Sequence, residues 1–495
     1  MRRIGHWIGG DSFPGSSERT GPVWDPAKGC QQAEVNLAGA DEVDIAIESA
    51  VEAFARWRAV PLSKRTEILF NFRELLNANR NEVASIVTSE HGKTTSDALG
   101  EVARGLENVE FACGALNLLK GEYTERASTG VDVYSIRQPL GVVAGITPFN
   151  FPAMVPLWML ANAIACGNTF VLKPSEKDPS ASLMLARLLR DAGLPAGVFN
   201  VVNGDKGAVE RLLAHPAVSA VSFVGSTPIA RSVYRLGSSA GKRVQALGGA
   251  KNHMVVLPDA DVDLAADAAV SAAFGSAGER CMAVSVVVAV GAVAQGLVDA
   301  IAARIAKIRV GPGSDPQSEM GPLITAEHRQ RVVSYLDAGH SAGADLVVDG
   351  RSHEMPDCGF FLGPALLDHV KADMSVYRDE IFGPVLSVVR VGSYREALEL
   401  VNANPYGNGT AIFTRDGGAA QRFQYDCEVG MVGVNVPVPV PVASYSFGGW
   451  KDSMFGDNHI YGPDGFRFYT RAKVVTSRWP DPATSQVDLG FPRTR

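Results

Sequence analysis

The chain has no C-x-x-C pair, no H-E-x-x-H run and no excess of basic residues. Its six cysteines, at 30, 113, 166, 281, 358 and 427, are scattered. That spacing excludes a disulfide framework and a thiolate zinc site, so no metal is expected, and it fits a reducing compartment. A formal net charge of −7 argues against nucleic acid as a partner, because phosphate backbones need clustered Lys and Arg. An anionic small molecule needs only a local Arg and stays open. The N-terminus, Met1-Arg2-Arg3-Ile4-Gly5, lacks the apolar core of a secretory signal, which points to a cytoplasmic protein. Charge is also missing from Gln138 to Leu172. The run is long enough for a membrane span, but Pro148, Pro152 and Pro156 interrupt any continuous helix. It reads as a buried active-site segment, with no membrane partner.

What is present is an α/β pattern. At 495 residues the chain is long for one core, and two or three domains are expected. Amphipathic helices start at Asp41 and continue through Ile68–Leu76 and Val83–Val87. Gly92-Lys93-Thr94 looks like the end of a phosphate-binding P-loop, but Val87 stands where that motif needs glycine, so Gly92 reads as a helix C-cap. Residues 122 to 137 alternate around Ser128-Thr129-Gly130, as in a hairpin. From Val142 onward short apolar strands and helices take turns, which implies a parallel sheet with helices on both faces. A second such run starts near Lys251. Residues 466 to 477 alternate like an exposed strand that could pair with the hairpin.

Cys281 is the outstanding residue. It lies in Gly278-Glu279-Arg280-Cys281, between a helical pattern and the buried strand that begins at Val284. A thiol at such a junction can face a cleft and act as a nucleophile; otherwise a lone Cys is a small buried apolar residue. No G-x-G-x-x-G fingerprint occurs in the first α/β unit. Lys173-Pro174-Ser175-Glu176 follows a strand, where doubly wound sheets bind ligands. Glu176 there can accept bonds from both ribose hydroxyls and repel a 2′-phosphate, favouring NAD over NADP. Phe223-Val224-Gly225-Ser226 leads into a helix N-terminus, a natural seat for a pyrophosphate. Taken alone, each is read first as a surface turn.

Taken together these segments, with Thr147-Pro148-Phe149-Asn150-Phe151-Pro152 and Glu380-Ile381-Phe382-Gly383-Pro384, resemble the aldehyde dehydrogenase superfamily in order and spacing. Residues 152–158 (Pro152 to Trp158), Gly249-Ala250-Lys251-Asn252-His253, Asn435-Val436-Pro437 and 466–470 are similar to its methylmalonate-semialdehyde dehydrogenase branch.

The resemblance implies a Rossmann-type NAD-binding domain (1–120 and 138–249) and an α/β catalytic domain (250–465). It also implies an oligomerisation element (121–137 and 466–495) that makes a homodimer or homotetramer. Cys281 would attack an aldehyde as a thiolate, and Asn150 with the Cys281 N–H would hold the oxyanion. Glu380 would bind the nicotinamide ribose, and Lys173 and Glu176 the adenosine ribose. Thr147, Phe149, Lys177, Gly225, Ser226 and Gly248 would contact the cofactor. Hydrolytic members carry a glutamate base about 34 positions before the cysteine, where this chain has Leu247. A thioester without that base is released by a strong nucleophile, the thiol of coenzyme A. The acyl group, carboxylated β to the aldehyde, would lose CO2. Arg280 and Arg104 would grip its carboxylate. The rival readings are a hydrolytic dehydrogenase that makes the free acid, and a retained fold without activity.

Overall fold

The computed structural model describes residues 1–437, 441–480, 482–483 and 487. Two large sheets dominate. The first has eight strands, and its five central ones are parallel, in the order Arg243–Leu247, Val218–Val224, Val142–Ile146, Thr169–Lys173 and Phe199–Val201. The second has seven. From Ala365–Asp368 it runs parallel through Val385–Val391, Val284–Val290, Asn252–Val256, Gly409–Phe413 and Met431–Val434. The central strands are apolar on both faces because helices cover both faces, as parallel sheets require. This is the α/β class read from the sequence. The chain passes from one sheet to the other in four residues, between Leu247 and Asn252.

The uncharged stretch resolves into strand, loop, helix and strand. Every residue of the Met154–Ala165 helix is buried, so it is apolar all round without crossing a membrane. Among the described residues no helix is long and apolar enough to span one. The Thr95–Cys113 helix lies across it, and the two meet at Gly105, where a Cβ would sit 2.4 Å from Leu157 Cδ1. Gly92 is the left-handed C-cap of the Arg80–His91 helix (φ 95°), as expected.

The Tyr123–Ser128 and Val131–Pro139 hairpin forms, and Thr470–Arg478 pairs along its whole second strand. One expectation needs correcting. Residues 466–468 are helical, within Gly462–Phe468, and the strand starts only at Thr470. Phe466 and Phe468 are both buried, on different sides of a short helix enclosed by its surroundings, so their alternation with Arg467 does not report a strand. Residues 481, 484–486 and 488–495 of the expected oligomerisation element lie outside the described residues.

Candidate active site

The cleft lies where the two sheets meet. Four of its walls follow carboxyl ends of strands in the first sheet. Val142–Ile146 leads into Thr147 to Asn150, Thr169–Lys173 into Glu176, Val218–Val224 into Ser226, and Arg243–Leu247 into Gly248. The second sheet contributes residues that precede its strands: Cys281 before Val284–Val290, and Glu380 before Val385–Val391.

Two cavities run along this seam. One, of about 370 Å³, is lined by Thr147, Lys173, Glu176 and Ile229. The other, of about 310 Å³, is lined by Asn150, Gly248, Cys281, His328, Arg331 and Glu380. Both are also walled by Phe149, Lys177, Gly225 and Ser226. A larger hollow of about 920 Å³, between Ala306 and Pro356, contains none of these residues.

A dinucleotide fits this pair of cavities. Lys173 Nζ donates to Glu176 at 3.1 Å, which orients the carboxylate. Burial works against the Glu176 charge, but Lys173, a backbone N–H and Lys177 together outweigh it and hold the carboxyl below its ordinary range. Glu176 therefore stays an acceptor for hydroxyls. The Thr227–Ser239 helix starts at Ser226 without a side-chain cap, leaving first-turn N–H groups for an anion. Gly249 has no room for a side chain, since a Cβ would lie 2.3 Å from Glu380 Oε2.

The approach to the thiol is unusual backbone. After the Val262–Phe274 helix, Ser276, Ala277 and Gly278 all take positive φ (55°, 51° and 75°). Two of the three are not glycine, and such conformations persist only where their surroundings hold them. Gly278 packs so closely that a Cβ would be 2.2 Å from Gly383 O, tying the thiol loop to the Glu380 loop. Asn252 Nδ2 donates to Cys281 O (2.9 Å) and Ala283 O (2.8 Å), and Asn408 Nδ2 to Cys281 O (3.1 Å). Lys251 Nζ donates to Val376 O and Asp379 O, both at 2.8 Å, just ahead of Glu380.

Burial and then the Glu380 charge push the Cys281 thiol up to about 12. Without cofactor the sulfur therefore rests protonated. Burial likewise raises Glu380 to about 7 although it accepts the Ala250 N–H at 2.9 Å. Glu279, wholly buried beside His91 and His328, is raised to about 8 by burial. Burial also lowers His328 to about 4, so this ring is neutral.

Leu247 is 3% exposed and belongs to the apolar cluster against which Cys281 packs. No carboxylate takes the position of a hydrolytic base there. Both arginines are engaged: Arg280 with Asp97 at 2.5 Å, and Arg104 with Glu107 at 2.7 Å. Arg104 lines neither seam cavity, although its charge and that of Cys281 both act on the Tyr461 hydroxyl. Sequence reasoning missed His328, Arg331 and Phe382, which close the 310 Å³ cavity, and the buried Lys93–Glu101 pair. For the last, Lys93 sits in the turn between two helices and Glu101 on the second, and nothing in the local pattern marks either as buried.

A thiol placed beside a dinucleotide-sized seam between two α/β units defines a pyridine-nucleotide oxidoreductase of the covalent, cysteine-bearing class. The comparisons make this specific: residues 13–475 match the aldehyde dehydrogenase family, and the chain belongs to it. It is 53% identical to malonate-semialdehyde dehydrogenase of Pseudomonas aeruginosa, over 99% of this chain and all of that protein. It is 48% identical to malonate-semialdehyde dehydrogenase 2 of Geobacillus kaustophilus, over 97% and 99%. A structure described as methylmalonate-semialdehyde dehydrogenase from Sinorhizobium meliloti, complexed with NAD, superposes with a TM-score of 0.96. It is 52% identical and covers 98% of this chain and 99% of that one.

Proposed function

We propose that the protein is an NAD-dependent, CoA-acylating semialdehyde dehydrogenase. It converts malonate semialdehyde or methylmalonate semialdehyde to acetyl-CoA or propionyl-CoA with loss of CO2. The observation that carries the CoA step is Leu247, a buried apolar side chain where water activation would need a carboxylate.

In this reading Cys281 attacks the aldehyde carbon, and the Asn150 carboxamide and the Cys281 N–H hold the oxygen as it gains charge. NAD, when bound, supplies the hydride acceptor and a positive ring that favours thiolate. Glu380 engages its nicotinamide ribose, which removes from the sulfur one of the two influences holding its proton. Glu176 and Lys173 hold the adenosine ribose, and Gly225, Ser226 and Gly248 leave space for the phosphates. Loss of hydride leaves a thioester on Cys281. With Leu247 in the place of a hydrolytic base, the thioester waits for the CoA thiol rather than water. Arg280, and behind it Arg104, bind the substrate carboxylate in place of their present acidic partners. The enzyme works in the cytoplasm as a homo-oligomer, and exposed Tyr123 (64%) and Val474 (66%) on the hairpin sheet support a subunit contact there.

The test is NADH formation from malonate semialdehyde with and without CoA, with product identification. Steady turnover only with CoA, yielding the acyl-CoA, is expected. Equal turnover to a free acid would establish the hydrolytic alternative.

A further inference from the structure

We propose that Lys93 and Glu101 form a buried clamp that positions Asn150, and so set the rate of acylation without touching the substrate. The proposal rests on reading Asn150 as the oxyanion donor.

Both side chains are almost entirely shielded, Lys93 at 1% and Glu101 at 3% exposure. Lys93 Nζ donates to Glu101 Oε2 at 2.8 Å and to the main-chain carbonyl of Asn150 at 2.6 Å. The same ammonium stands 4.3 Å from the centre of the Phe151 ring. The other oxygen, Glu101 Oε1, accepts the N–H groups of Ala153 (2.8 Å) and Met154 (3.1 Å). Those amides open the Met154–Ala165 helix, whose N-cap, Ala153, offers no side-chain acceptor. Glu101 thus caps that helix from outside, with its negative charge at the positive end of the dipole. Lys93 neutralises the carboxylate and fastens the residue four places earlier. Asn150 to Met154 is held at both ends by one ion pair.

The clamp is itself fixed. Lys93 stands between the left-handed cap Gly92 and the N-cap Thr94, whose hydroxyl accepts the Asp97 N–H at 3.2 Å. Asp97, Glu101 and Arg104 follow at helical spacing on the Thr95–Cys113 helix. One stripe of that helix therefore meets Arg280 next to the thiol and the Asn150 loop, and itself carries Arg104, the second arginine assigned to the substrate. The Asn150 carboxamide has no hydrogen-bond partner among the described residues, so its aim depends on the main chain that carries it.

Stability alone does not account for such a pair. Two charges taken out of water recover little net free energy, and an apolar pair of similar volume often does as well or better. An oxyanion donor, in contrast, loses much of its effect when displaced by a fraction of an ångström.

The experiment measures the pre-steady-state burst of NADH in the full-length enzyme, together with NAD affinity by fluorescence. The doubly neutral variant Lys93→Met/Glu101→Gln should lose about 10–100-fold in burst rate with NAD affinity within about two-fold. Asn150→Ala should lose about 10²–10³-fold. Adding the double change to Asn150→Ala should cost nothing more, because a clamp with no carboxamide to aim has no further effect. A full burst rate in the double variant, multiplying losses in the triple variant, or loss of NAD binding in parallel with rate each overturns the clamp. An Asn150→Ala enzyme with an undiminished burst instead overturns the oxyanion reading. If the double variant yields no folded protein, Glu101→Gln carries the test. It keeps one acceptor and should lose about 5–10-fold, and an unchanged burst there overturns the proposal.

Discussion

The two sheets present opposite ends of their strands to the cleft. In the first, the ligand-facing residues follow the strands, and the helix after Val218–Val224 brings N–H groups and a positive dipole end with it. That end offers backbone donors to an anionic cofactor, with Lys173 and Glu176 beside them. In the second, Cys281 and Glu380 precede their strands, where no helix N-terminus supplies donors. Side chains do that work instead: Asn252 and Asn408 hold the Cys281 carbonyl, and Lys251 holds the Glu380 loop. The lesson is a division of labour. Cofactor recognition comes with the topology, whereas the reacting thiol has to be fastened by individual buried residues.

That contrast can be broken most severely at Asn252. Removing its carboxamide in Asn252→Ala frees the Ala283 carbonyl and leaves the Cys281 carbonyl to Asn408 alone. The expected loss is about 10²-fold in kcat with NAD affinity unchanged, and a rise in the NAD dissociation constant of similar size would show that the halves are not separable. On the cofactor side, Glu176→Gln should act in the opposite sense. It keeps an acceptor but loses the charge, so KM for NAD should rise about 5–10-fold, KM for NADP should fall, and kcat with NAD should hold within about two-fold. Steady-state kinetics with both cofactors reads this.

The smallest effect sharpens the electrostatics of the fastened half. Glu279 keeps its proton up to about pH 8 when folded but releases it near 4.5 when unfolded. Stability therefore falls as pH rises across that interval and levels off above it. Glu380, raised to about 7, adds a slope of the same sign over a narrower range. Glu279→Gln should flatten most of the fall in Tm and leave the Glu380 part. An unchanged slope would mean that Glu279 is charged in the native protein.

Much of this is legible in the sequence alone. The strand–helix alternation from Val142, the hairpin and its strand partner, and Gly92 as a cap rather than a phosphate loop all follow from local pattern. Cys281 stood out through its junction with the Val284–Val290 strand. The 466–468 helix escaped because a three-residue alternation of Phe and Arg has the same look in a strand and at the end of a short helix. Lys93 and Glu101 escaped for a different reason. A charge is read as solvated unless its partner is known, and this pair is joined only by tertiary packing to a loop about 50 residues away. His328 and Arg331 likewise reach the cleft from the Ala326–Ser341 helix, whose own periodicity says nothing about the seam it borders.

The central claim is that an acyl group waits on Cys281 because Leu247 stands where water activation would need a carboxylate. The direct measurement is intact-protein mass spectrometry of enzyme quenched after one turnover with NAD and malonate semialdehyde, without CoA. An acyl adduct mapping to the peptide that carries Cys281, stable for many turnover times and discharged on adding CoA, is the expected result. Free acid released at the rate of NADH formation, with an unmodified Cys281, would contradict it.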